Sequence, residues 1–169
     1  MKGMLRIMAV VAVLLLAPAL AFGANGDTIN IGGSVPLVLS LTVTPDANAD
    51  NLTLHAPAAA ATAPIATIDV TTNNTGGWEL YAYSATADAG ASSILENADG
   101  DDIGYTVTFT SDGGAGVSDT AIPNGGLMLT EYATNETEAA SPLVINYAQA
   151  QNYPAGYYSD QLTIVLRAK

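Results

Sequence analysis

From Asp27 to Thr44 the chain reads DTINIGGSVPLVLSLTVT, and its apolar residues keep almost entirely to one parity. Ile29, Ile31, Val35, Leu37, Leu39, Leu41 and Val43 stand on odd positions with Gly33, while the even positions are mostly Thr, Asn, Gly, Ser and Pro. A period of two, rich in β-branched residues, predicts extended backbone with one buried face. At about 3.3 Å per residue the run would reach roughly 55 Å, against roughly 17–20 Å for an ordinary strand. Gly32, Gly33 and Pro36 therefore divide it, because Gly weakens a strand interior and Pro removes a ladder donor. The second piece, Leu37 to Thr44, enters the domain's own sheet. The first, Thr28 to Val35, either pairs inside the domain or is offered to another chain.

The same alternation recurs to the C-terminus. Leu52 and Leu54 form a short apolar pair after the turn-like DANADN. Residues 56–66, APAAAATAPIA, hold an alanine run between Pro57 and Pro64, which predicts a loop or irregular crossover in place of a helix. Ile65 to Thr72 reads as a strand, NNTGG (73–77) as a hairpin turn, and Trp78 to Ser84 as the returning strand. That strand sets Trp78, Leu80 and Ala82 on one face, with Trp78 expected at the core edge, covering one end of the fold. Residues 85–102 are small and polar. Ile103 to Thr110 then places Tyr105, Val107 and Phe109 on one face. SDGGAGVSD reads as a loop, Leu127 to Thr130 as a short strand, and NETEAAS as another loop. Leu143, Ile145 and Tyr147 alternate next, and Leu162, Ile164 and Leu166 close the series. Seven or eight short strands and no convincing helix predict an all-β fold, an antiparallel β-sandwich.

The first residues follow different rules. Lys2 and Arg6 precede an apolar core from Ile7 to Leu16, and Pro18 is followed by small residues at Ala19, Ala21, Gly23 and Ala24. This predicts a secretory signal peptide over residues 1–23, too short in its apolar run to span a bilayer comfortably. Residues 24–35 are then an N-terminal extension and 36–169 the β-sandwich domain. Removing the leader leaves Arg167 and Lys169 against 16 acids, a side-chain charge of −14. Such a surface repels phosphate backbones and anionic head groups, which argues against nucleic-acid and membrane partners. With no cysteine, an exported domain must rest on its apolar core.

Catalytic chemistry has little to work with. His55 is the only histidine, so neither a Cys/His pair nor a multi-histidine metal site can be built, and no G-x-S-x-G elbow accompanies it. No enzyme and no cofactor are expected. The densest acidic cluster is Glu96, Asp99, Asp101 and Asp102 around Gly100, a candidate for Ca²⁺ by ligand type. Its spacing misses the EF-hand pattern, and a solvated acidic loop accounts for it equally well. Trp78 with loop tyrosines supports an alternative, a monomeric carbohydrate-binding or adhesin module.

The order of these patterns, NIGGSVPLVLSLTV first, then IATIDVTTNNTGGWELYAYSA and IGYTVTFTSDGG, and NYPAGYYSDQLTIVLRAK at the close, resembles chaperone–usher type pilin subunits, in particular the cysteine-free, CFA/I-like alternate class. The closing P-A-G-Y-Y-S-D-x-L-T-I is also similar to the end of spore coat protein U-like domains, which typically carry cysteines absent here. The resemblance implies an immunoglobulin-like sandwich that lacks its last strand and receives it from the N-terminal extension of the next subunit. It implies Ile29, Ile31, Gly33 and Val35 as donor residues, and Leu39, Leu41, Leu162, Ile164 and Leu166 as the acceptor groove. It also implies a homo-polymer on the cell surface, reached through the periplasm with an assembly chaperone and usher.

Overall fold

Alternation in the sequence becomes alternation in burial. The computed structural model describes residues 31–87 and 93–169, and among them there are nine strands and no helix. The strands are β1 (Leu39–Pro45), β2 (Ala59–Thr72), β3 (Trp78–Ser84), β4 (Ile94–Glu96), β5 (Asp102–Phe109), β6 (Val117–Thr120), β7 (Leu127–Tyr132), β8 (Glu138–Gln149) and β9 (Leu162–Ala168). All lie within the unit Pro36–Lys169. Every pairing is antiparallel. One sheet runs β1-β2-β8-β5-β4 with β6 also on β5, and the other runs β7-β3-β9. The fold is all-β.

Both sheets feed one apolar cluster. Ile68 and Val70 of β2, Val107 and Phe109 of β5, and Leu143 and Ile145 of β8 enter it from the larger sheet. Trp78, Leu80 and Ala82 of β3 and Leu129 of β7 enter it from the smaller one. The faces expected for Trp78–Ser84, Ile103–Thr110 and Leu143–Tyr147 are the buried faces. Period-two burial follows because each strand has one side on the core.

Four expectations are corrected. NNTGG is not a hairpin turn: β2 and β3 belong to different sheets, and the turn carries the chain between them. Alternation reports which side faces the core, not which strand lies alongside. Gly77 is required at the end of this turn, with φ of 85° and the carbonyl oxygen of Tyr132 only 2.1 Å from where a Cβ would sit. The alanine-rich stretch is not a loop, since β2 starts at Ala59 and pairs with β8 throughout. β1 reaches only as far as Ala66, so the Ala59–Pro64 half of β2 is an open edge, and a register shift follows Pro64. Both features tolerate a residue without an N–H. Finally, NETEAAS is only partly loop: β8 begins at Glu138, whose side chain is buried. Its carboxylate accepts from Ser111 Oγ (2.9 Å), Tyr132 OH (2.9 Å), Ser141 Oγ and the Asp112 N–H, which offsets its desolvation. The strand count also exceeds the expected seven or eight, because β4 and β6 are short strands within segments read as polar loop.

Trp78 is fully buried. Its Nε1–H donates to the Glu136 carbonyl at 2.8 Å, and its ring lies 4.6 Å from that of Tyr132. A sugar ring has no access to it, so of the residues named for the carbohydrate-binding alternative only the loop tyrosines, Tyr157 among them, are exposed.

Candidate functional site

Two of the edge strands, β1 and β9, define the site. On β9, Leu162, Ile164 and Leu166 lie opposite Ser84, Ala82 and Leu80 of β3. Ala82 and Leu80 are fully buried, so these three β9 side chains face the same interior, yet each is only half-buried. Position explains this: β9 has β3 on one side and, among the described residues, no strand on the other. β1 likewise pairs with β2 alone, and its inward residues Leu39, Leu41 and Val43 stand opposite Thr72, Val70 and Ile68. Val43 remains 37% exposed.

Between these edges lies a cavity of about 510 Å³ with both apolar and polar walls. Val43 and Pro45 line it from β1, Leu162 and Ile164 from β9, with Leu143 and Ile145 from the core beneath. It occupies one end of the two strands. Their other ends, at Leu39 and Ala168, pair with Thr72 and Trp78, the residues on either side of the sheet-crossing turn. Of the five expected acceptor residues, Leu162 and Ile164 therefore line the cavity, while Leu39, Leu41 and Leu166 pack half-buried against the core outside it. Sequence reasoning missed Val43, Leu52 and Leu54 as wall residues, although the odd-position run and the Leu52/Leu54 pair already marked them as one-sided.

Two coil segments form the rims. Gln149 Nε2 donates to the Thr53 carbonyl at 2.6 Å and the Ala150 N–H to the Leu54 carbonyl at 3.1 Å, which holds Leu52 and Leu54 in place. On the other side, Glu96 and Ser159 exchange both backbone hydrogen bonds, at 3.1 and 3.0 Å. Where that rim meets β9, Asp160 accepts from Tyr105 OH (2.5 Å), Ser84 Oγ (2.6 Å) and the Ala85, Thr86 and Gln161 N–H groups (3.1, 3.1 and 2.7 Å). Burial, and after it the hydrogen bond to Asp160, holds the Tyr105 hydroxyl well above the usual phenol range. The phenol stays a donor. His55 is exposed at the rim.

Such a site suits an extended segment. Its walls offer apolar contact to alternate side chains, and its two strand edges offer backbone N–H and C=O groups. The expected donor residues are found exposed where they are described: Ile31 is 95% and Val35 85% accessible, and Ile31–Val35 forms no strand. Gly33 lies between them; Ile29, with residues 1–30 and so the predicted signal peptide, falls outside the described residues.

The acidic cluster is organised by an amide. Asn97 Oδ1 accepts from the Asp99 and Asp101 N–H groups (3.0 and 2.8 Å), and its Nδ2 donates to Asp101 Oδ2 at 2.9 Å. Glu96 ends β4 and Asp102 opens β5 as its register partner. Among the described residues no group of three or more acidic, His or Cys side chains is arranged to hold a metal ion.

No protein-family model matches the chain, and no curated protein matches it.

Proposed function

We propose that this chain is an exported structural subunit that polymerises head to tail, each copy filling the β1/β9 cavity of its neighbour with its own N-terminal extension. In this reading the two sheets form an immunoglobulin-like sandwich short of one strand. Residues 24–35 supply that strand, with Ile29, Ile31 and Val35 entering as alternate side chains and Gly33 between them. The single observation that carries the reading is the cavity between two strand edges left unpaired among the described residues, with Val43, Leu162 and Ile164 in its walls, in a chain whose apolar, alternating Ile31 and Val35 are exposed. Burying the three donor side chains gains roughly 5–9 kcal/mol before ordering costs. Donor and acceptor are different surfaces, so the contact is heterologous and propagates a filament. A pilus, fibre or coat at the cell surface is the corresponding assembly, with an assembly chaperone and usher as partners during passage through the periplasm.

Deleting residues 24–35 tests this. The expected product folds, stays monomeric by size-exclusion, shows no fibres by negative stain, and binds a hydrophobic dye that a peptide of residues 24–35 displaces. Fibres that persist after the deletion would overturn the proposal.

A further inference from the structure

Immediately before β1 the chain is held without being packed. Leu37 is 63% and Val38 43% exposed, so little apolar burial fixes residues 36–38. Hydrogen bonds do. The Val38 N–H donates to Asn73 Oδ1 at 2.7 Å, and Asn73 Nδ2 donates to the Pro36 carbonyl at 2.8 Å. The Val38 carbonyl accepts from the Asn73 N–H at 3.1 Å and from Thr72 Oγ1 at 3.0 Å. Pro36 has no N–H, so Asn73 and Thr72 take every backbone group that Pro36 and Val38 present on that side. The carboxamide of Asn73 acts as one more residue of β2, continuing the ladder beyond Leu39↔Thr72 where the sheet itself has turned away. An amide suits this, because one bond needs an acceptor and the other a donor.

From this geometry we infer that Asn73 is a positioning residue for assembly: its side chain makes Pro36–Val38 a stiff root, from which the preceding segment starts at a fixed point. The inference rests on the strand-donation reading. A donated segment couples two subunits through whatever joins it to its own domain, so the rigidity of this root sets how far successive subunits bend and how often a segment is presented in a productive direction. Restricting the root also lowers the conformational entropy lost when the segment is captured.

The test compares the full mature chain with Asn73→Ala and Asn73→Asp. Asn73→Ala removes both side-chain bonds. Asn73→Asp keeps the acceptor for Val38 and loses the donor to Pro36. The expected result is amide exchange at Val38 several-fold faster in Asn73→Ala and near wild type in Asn73→Asp. Fibres of Asn73→Ala should show a several-fold shorter persistence length and slower assembly, with Asn73→Asp between it and wild type and with melting temperatures little changed. Equal persistence lengths in all three proteins overturn the inference. So does a fall in melting temperature that tracks the assembly defect, which would mark a merely structural role. Failure of the donation reading is separately visible as fibres that survive deletion of residues 24–35, whereas Val38 exchange reports on the root whatever the assembly mechanism.

Discussion

Tyr105 on β5 donates its hydroxyl to Asp160, the residue two before β9, at 2.5 Å in the wall of the cavity. The bond ties the larger sheet to the segment that delivers the last strand, and burial followed by this bond raises the phenol's pKa. The sign follows directly. The unfolded chain releases this proton near pH 10 while the folded protein keeps it, so the contribution is complete below about pH 10 and is lost as pH rises beyond it. Thermal stability should therefore fall more steeply above about pH 10 in the wild type than in Tyr105→Phe, which is expected to be less stable at neutral pH but to show a shallower alkaline slope. Parallel slopes in melting scans of the two proteins would refute the role given to Tyr105.

Glu138 is buried with no cation beside it among the described residues, and four donors compensate it. Replacing it with Ala removes the acceptor of the Ser141 hydroxyl and the Asp112 N–H and leaves the Ser111 and Tyr132 hydroxyls to pair with each other. Each buried donor left unpaired costs about 1–3 kcal/mol, though the losses do not add fully. Denaturant unfolding of Glu138→Ala should show one of the largest single losses in the domain, and Glu138→Gln a smaller one. A loss below about 1 kcal/mol for Glu138→Ala would show that the network is not structural.

How much of this was legible in the sequence divides along physical lines. Burial was. Trp78, Leu80, Ala82, Tyr105, Val107, Phe109, Leu143 and Ile145 were all assigned their inward face by parity, because side-chain alternation is a local property of extended backbone. Pairing was not. NNTGG looks the same whether it folds two strands onto each other or passes the chain to the opposite sheet, and the choice lies with contacts distant in sequence. Ala59–Pro64 resembles loop because alanine and proline carry little strand propensity, yet β8 supplies the partner that makes it strand. Glu138 was hidden for a similar reason, since a carboxylate predicts solvent until its four partners are known. Of the groove residues that the resemblance implied on the last strand, Leu162 and Ile164 line the cavity and Leu166 does not. The cavity's position at the Val43/Leu162 end did not follow from sequence, because it depends on where two strands remote in the chain lie across from each other.

Trp78 offers an optical check, being the only tryptophan. Fully buried against Tyr132, it should emit at short wavelength and resist acrylamide quenching in both monomer and fibre. Trp78→Ala should cost about 3–5 kcal/mol. Glycan titrations should leave its emission unchanged. A strongly quenchable or glycan-sensitive emission would contradict the buried placement.

The most direct measurement uses the absence of native cysteine. Ile31→Cys is combined in one chain with Leu162→Cys, Ile164→Cys or Leu166→Cys in turn, and assembled material is oxidised and run on a non-reducing gel. Strand donation between copies predicts that at least one combination gives a covalent ladder of multimers, absent from chains that carry only one of the two cysteines. Bridged monomers alone, or fibres that form with no cross-link in any of the three combinations, would contradict it.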